Sequence, residues 1–392
     1  MIADLHAHYP MHLIPDAEGN PYDLLVEASG RGRLRDHVRA WLVNFAGRFG
    51  NYRDFWSGPR VTMPTLREGG VGVALSVLYQ FFDELDLGEP YGAPPRETYL
   101  PRLVRQLELV ERDIVEKHAA EAAVARNPAE LKDALRANKV ALVHCVEGGF
   151  HLGATPDAVD AAVSKLAGRG VAYVVLPHLV YRGVATNAPA LPFLPDWLYR
   201  IVFRQPREGL SALGRAAVEA MLREHVLIDL SHMSDRSLAD TLDLLDRHDQ
   251  DRRAPVIVSH GCFRFAGQEY GLTTSTVERI AERNGVVGLI LAQHQLLDGI
   301  QRRRTRSFEE SLKVLFRHID RIHEVTGSHR HTAIGSDLDG FIKPTLTGLE
   351  SMTDMARLER ALRERYGDDA ELICSENALR PLRTWWRGAT PP

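Results

Sequence analysis

Two imidazoles, His6 and His8, close the apolar run that opens the sequence, Ile2-Ala-Asp-Leu-His-Ala-His8. On a β-strand this spacing points both rings to one side. Two neutral imidazoles converging there suit a divalent metal, and they would equally serve as a hydrogen-bonded core pair. Further along, the run Val140–Val146 ends in Glu147-Gly148-Gly149. A carboxylate at the end of a buried strand is costly unless it is paired or bound to metal, and glycines let the backbone approach a neighbour closely. Leu227-Ile-Asp-Leu-Ser-His232 and Val256-Ile-Val-Ser-His260 repeat one pattern, an apolar strand followed by Ser and His. Ala333-Ile-Gly-Ser-Asp337-Leu-Asp-Gly340 then sets an acid beyond a last strand. Four histidines and two carboxylates thus fall at five strand ends, the pattern of a metal site assembled from distant parts of a chain.

The number of donors favours two ions. A catalytic zinc takes three protein ligands and keeps one position open. His6, His8, His232 and His260, with Glu147 shared between them, supply each of two ions. Imidazole with carboxylate oxygen suits Zn2+, and Mn, Fe or Co are admissible. Two such ions would hold a bridging hydroxide and polarise a carbonyl. Asp337 is then the candidate proton shuttle between nucleophile and leaving group, or a further ligand. Asp339 is read as structural. His178, which closes Val174-Val-Leu-Pro-His178, is either a site residue or a structural strand-end histidine.

The elements that must carry these residues are legible as apolar runs. Strands are expected at about Ile2–His8, Gly72–Leu78, Val140–Glu147, Ala172–Pro177, Val226–Ser231, Val256–Ser259, Val286–Leu291 and Thr332–Ser336. Amphipathic helices are expected between them at Tyr99–Arg126, Thr155–Arg169, Leu210–His225, Asp235–Arg247, Thr274–Asn284 and Ser307–Thr326, with Asn127-Pro128 starting a shorter one. Near-continuous Val/Ile/Leu strands alternating with helices indicate a parallel α/β sheet. Eight of them fit a (β/α)8 TIM barrel forming one domain over residues 1–392; an open doubly wound sheet is the alternative. Two insertions break the rhythm, residues 10–64 after the first strand, with a helical piece near Leu34–Phe49, and a Pro-rich loop at 181–207 after the fourth. Both follow strand C-terminal ends, where barrel enzymes build their mouths.

Composition removes several classes of partner. Lys and Arg number 48 against 52 Asp and Glu, so no basic surface calls for nucleic acid or an anionic membrane. The three scattered cysteines offer no disulfide framework, and no signal-like or membrane-spanning run is visible, so a soluble, cytoplasmic chain acting on a small molecule is expected. The Arg302-Arg303-Arg304-x-Arg306 cluster reads as a solvated loop, and His318, His323, His329 and His331 as surface residues. His144 is expected to face the helix layer and Cys262 to be an inert small side chain. No GxSxG, Walker or Rossmann fingerprint is present.

In this order the motifs His6-x-His8, Glu147-Gly-Gly, His178, Ser231-His232, Ser259-His260 and Gly335-Ser-Asp337-Leu-Asp-Gly resemble the membrane (renal-type) dipeptidase family of the amidohydrolase superfamily, from residue 2 to Glu376-Asn-Ala-Leu-Arg380. The resemblance implies a (β/α)8 barrel with a binuclear zinc centre, a homodimer and a dipeptide substrate. It assigns His6, His8 and a share of Glu147 to one ion, and the other share of Glu147 with His232 and His260 to the second. Asp337 matches the family's acid/base residue, and His178 the histidine that binds substrate and steadies the oxyanion. Two departures stand out. His8 occupies the place of the family's Asp, removing one negative charge and making the ions more electrophilic. The family's carboxylate-binding Arg is absent from Gln268-Glu-Tyr-Gly-Leu-Thr-Thr274, with Arg264 and Arg182 as candidate substitutes. Hydrolysis of a lactone, cyclic amide, N-acyl compound or phosphoester is therefore the alternative, and a non-catalytic metal-binding protein the second.

Overall fold

Residues 1–13, 60–84, 86, 91–192, 194–342 and 344–389 are described in a computed structural model of the chain. Nine strands form among them: β1 (Ile2–Ala7), β2 (Val71–Leu78), β3 (Ala122–Val124), β4 (Val140–Glu147), β5 (Tyr173–Val175), β6 (Leu227–Asp229), β7 (Val256–Gly261), β8 (Val286–Leu289) and β9 (Thr332–Ile334). All pairings between these strands are parallel, in the order β2-β1-β9-β8-β7-β6-β5-β4, and β4 pairs back onto β2 from Val73↔Ala141 to Leu78↔Val146. Eight strands thus close the (β/α)8 barrel that the apolar runs predict.

The ninth, β3, corrects the reading of Tyr99–Arg126 as one helix. That helix stops at Lys117, and Ala122–Val124 pairs with Val140–Leu142. β5 engages β4 only at Val146 and Glu147, which leaves the lower edge of β4 open to β3. Pairing on that edge overrides the helical propensity of the alanines.

The connecting helices start where side-chain oxygens can hold their first N–H groups. Asn127, Thr155, Ser211, Ser234, Thr273 and Ser307 each accept from the backbone N–H three residues on. Most of the 10–64 insertion, including Leu34–Phe49, lies outside the described residues. Its two ends do not. Tyr9–Leu13 forms a 3-10 turn, and the N–H groups of Arg60 and Val61 donate to the Asp339 carboxylate at 2.8–3.0 Å, a structural task as expected for that acid. The Pro-rich loop carries a short helix, Asp196–Val202. No helix among the described residues is long and apolar enough to cross a membrane.

Two apolar layers hold the barrel. Alternate residues such as Leu5, Val73, Val143, Val175, Leu227, Ile257 and Ala333 fill its interior, joined by Leu379, Leu382 and Trp386 of the C-terminal segment. Trp386 is buried there and Trp385 stacks on His225, so the tryptophan pair packs on its own chain. The other strand faces pack against the helices, where His144 indeed turns toward Glu111.

His318 is not the surface residue its neighbourhood suggested. It falls on the buried stripe of Phe308–Thr326 with Val314, Leu315 and Ile322. The Phe263 N–H donates to its Nδ1 at 3.1 Å, and its Nε2–H donates to the Leu296 carbonyl at 3.0 Å. Burial lowers its pKa from 6.5 to about 4. Because the folded state resists the proton, this stability is complete above pH 6.5 and is lost as pH falls toward about 4. The loss amounts to about 3 kcal/mol. His318→Gln removes the titration, so denaturant unfolding at about pH 7 and about pH 4.5 should show a smaller acid-induced loss in the variant than in the parent.

Candidate metal centre

The site residues reach the barrel mouth by different backbone routes. Glu147 simply follows Val143 and Cys145 inward along β4. His6 and His260 sit next to inward-facing residues, Leu5 and Ser259, so strict alternation would send them out of the barrel. Pairing registers shift between Asp4 and Ala7 on β1 and between Val258 and Gly261 on β7, and these irregularities turn both rings in. His232 and Asp337 instead adopt left-handed backbone, with φ of 62° and 56°. Such a conformation costs on the order of 1–3 kcal/mol outside glycine and is concentrated at functional sites. Two glycines serve the same ends. Gly148 has φ 97°, and a Cβ there would lie 2.2 Å from the Phe150 ring. At Gly340 a Cβ would lie 2.0 Å from Asp337 Oδ1.

Glu147 lies at the centre of what assembles. Its Oε1 is 3.4 Å from His6 Nε2, 3.5 Å from His260 Nε2 and 3.7 Å from His232 Nε2. Its Oε2 is 3.5 Å from both His8 Nε2 and His178 Nε2. Among the described residues neither oxygen has a hydrogen-bond partner, and both are buried, as is the equally unpartnered His6 Nε2. His232 Nε2 and His260 Nε2 face each other at 2.7 Å, a distance that needs a proton or a cation between two lone pairs. Asp337 Oδ1 completes the group, 3.0 Å from His8 Nε2 and 3.7 Å from His6 Nε2. Three overlapping sets could each hold an ion: His6, Glu147 and His260; His6, His8 and Asp337; Glu147, His178 and His232. The set fits divalent cations: imidazoles and carboxylates converge, buried, with orphaned lone pairs.

Charge within the cluster is unevenly held. Burial works against ionising Glu147, but the imidazoles around it, His178 foremost, keep its pKa well below the usual range. Burial holds His232 and His260 neutral, with pKa values well below 6.5. It would do the same to His178, but the carboxylates of Glu147 and Glu84 outweigh it and raise that pKa to about 9. His6 is raised too, burial again being outweighed by Glu147.

Several supporting residues escaped the sequence reading. Glu84 accepts from His178 Nδ1–H at 2.7 Å, from the Tyr79 hydroxyl at 2.5 Å and from the Val180 N–H at 2.8 Å. Asp4 Oδ1 accepts from the N–H groups of His6 and Ser336, tying β1 to the strand end that carries Asp337. Asp229 does the same for Ser231, just beyond β6, and Ser259 on β7. The available signal was an acid inside an apolar run, two residues before the polar strand end. The candidate cations are placed otherwise. Arg264 is committed to Asp235 and to the carbonyls of Gly271 and Glu269. Arg182 is buried with its Nη2 on the Tyr99 hydroxyl. Among the described residues, neither guanidinium makes a hydrogen bond or ion pair with the cluster. Cys262 lies with its thiol toward the Gln295 carbonyl, consistent with a small packing residue.

Comparison with known proteins places this architecture. Residues 47–386 match the sequence profile of the membrane dipeptidase family, peptidase family M19; the match begins after His6 and His8. An uncharacterized dipeptidase of Schizosaccharomyces pombe is 30% identical over 249 residues, 63% of this chain and 53% of that protein, so the match spans about half of that relative. The dipeptidase tcpJ of Claviceps purpurea is 23% identical over 395 residues, covering 95% of this chain and 81% of that protein. The crystal structure of a Rhodobacter sphaeroides metallo peptidase, liganded with a phosphinate mimic of the dipeptide L-Ala-D-Ala, superposes with a TM-score of 0.70 at 20% identity, covering 98% of this chain and 99% of that one. With most of its length matching the family profile and its barrel shared with such a structure, the chain belongs to the membrane dipeptidase family.

Proposed function

We propose that this chain is a metal-dependent amide hydrolase acting on dipeptides through two zinc ions. The observation that carries this reading is Glu147, a buried carboxylate with no hydrogen-bond partner among the described residues and five imidazoles around its two oxygens. His6, His8 and Glu147 would hold one ion, and Glu147, His232 and His260 the other. When bound there, the ions supply Lewis acidity that polarises a scissile carbonyl and acidifies water. Family membership supports the reaction class, and the dipeptide mimic in the Rhodobacter structure supports the substrate class.

The chain's own groups divide the remaining work. Asp337 Oδ1, at the mouth beside His8 and His6, accepts a proton from the attacking water and returns it to the departing amide nitrogen as the C–N bond breaks. His178 gives its Nδ1–H to Glu84, which fixes the ring and leaves Nε2 directed into the site. A proton there would donate to the carbonyl oxygen as negative charge develops. Burial of the cluster excludes bulk water, which strengthens each of these interactions. The unpaired, buried Cys145, Cys262 and Cys374 support a reducing, cytoplasmic setting. A non-peptide amide, lactone or phosphoester is the second reading, favoured by the engagement of Arg264 with Asp235 and of Arg182 with Tyr99 instead of with the cluster.

Four results test these assignments. Chelation should abolish hydrolysis of a dipeptide panel, and re-addition of Zn2+ should restore it; activity surviving verified metal loss would overturn the mechanism. Parallel lactone, cyclic amide and phosphoester panels decide between the two substrate readings. Asp337→Asn should retain metal by elemental analysis while kcat falls by about 100-fold or more. Glu147→Gln keeps the shape but not the charge, and should lose metal itself, with bound zinc falling below one ion per chain.

A further inference from the structure

The hydroxyl of Ser259 stands between two of the imidazoles. Its Oγ is 3.0 Å from His6 Nδ1, 3.0 Å from His260 Nδ1 and 3.3 Å from Ser231 Oγ. The donor directions follow from where this chain of contacts ends. Asp229 is fully buried, and its Oδ1 already accepts from the N–H groups of Ser231 at 2.9 Å and Ser259 at 3.0 Å. It is therefore an acceptor toward the Ser231 hydroxyl as well, at 2.7 Å. With the Ser231 proton spent on Asp229, Ser259 must be the donor to Ser231, and its oxygen is left to accept. Both imidazoles then carry hydrogen on Nδ1 and turn Nε2 toward Glu147 Oε1, at 3.4 and 3.5 Å. The two rings are not equally secured. His6 Nδ1 has a second acceptor 2.9 Å away in the Tyr173 hydroxyl, whose own proton goes to the Leu5 carbonyl. His260 Nδ1 meets Ser259 alone among the described residues.

We propose that Ser259 is a positioning residue whose single hydroxyl, anchored through Ser231 to the buried Asp229 carboxylate, fixes the ring orientation and tautomer of His6 and His260 together. This rests on the metal-site reading above and adds to it which groups set the tautomers. A partner that orients a metal-ligating histidine typically contributes about 10–100-fold in affinity. Here the contribution is asymmetric. Ser259→Ala leaves His260 Nδ1 without a partner among the described residues while Tyr173 still holds His6, and Tyr173→Phe leaves Ser259 holding both.

The test has two arms. In metal-free protein, 15N NMR of the histidines reads the tautomers directly. The parent should show Nδ1–H at both His6 and His260, Ser259→Ala should mix the tautomers of His260 only, and Ser231→Ala should produce the same change more weakly. In chelator-competition titrations with Zn2+, Ser259→Ala should weaken one of two binding steps by about 10–100-fold and the other much less, Tyr173→Phe should leave both nearly unchanged, and the double variant should weaken both. Circular dichroism of the apo variants checks that the fold is kept. Unchanged tautomers with unchanged affinities in Ser259→Ala overturn the proposal, as does equal weakening of both steps. A parent that binds no metal overturns the reading of the centre instead, and the NMR arm still judges the role of Ser259.

Discussion

A negative charge buried without a hydrogen bond is the constraint to which the upper half of this barrel answers. Glu147 ends β4 in a position set by simple strand alternation, so the fold places the carboxylate there unavoidably. Its two oxygens divide the surroundings, Oε1 facing His6, His232 and His260, and Oε2 facing His8 and His178. An isolated carboxylate in such a place would protonate or unfold its surroundings. Imidazoles alone compensate only by taking up protons, as His178 is inclined to do. His232 and His260 are held neutral by burial and offer lone pairs instead. That mixture suits positive charge supplied from outside the chain.

Irregular backbone delivers these groups. The interior of the barrel is packed by regular alternation, and the polar cluster begins where alternation fails, at the shifted registers of β1 and β7 and the left-handed residues His232 and Asp337. Residues that keep the alternation at that level, such as Ser259, form the layer beneath the imidazoles. Residue types in the cluster were therefore readable from the sequence, because His and Glu at the ends of apolar runs are conspicuous. The eight barrel strands were readable for a similar reason, each being a dense Val/Ile/Leu run bounded by polar residues.

What the sequence concealed depends on partners that only the tertiary structure supplies. Glu84 looks like a surface acid of a short helix, yet it is buried under three hydrogen bonds. Asp4 and Asp229 sit inside apolar runs, and nothing local tells that their oxygens gather N–H groups from neighbouring strands. His318 shares the apolar stripe of its helix, and its polarity masked its burial. β3 was hidden by alanines that favour a helix until an unpaired strand edge is offered. Arg264, a plausible grip for a carboxylate, is already occupied by Asp235, which lies 29 residues earlier.

The clamp that Asp339 places on Arg60 and Val61 has an evolutionary corollary. Tyr9–Leu13 leaves the mouth just after β1, and the chain returns at a point pinned beside the turn that bears Asp337, so the excursion between them has fixed end points. Closing a loop between fixed ends costs only about 0.6 kcal/mol more for each doubling of its length. With both points pinned to the barrel, a change in the number of residues joining them carries little penalty to the strands. Descendants of one scaffold could thus differ in chain length between β1 and β2 while inheriting the same histidines unchanged.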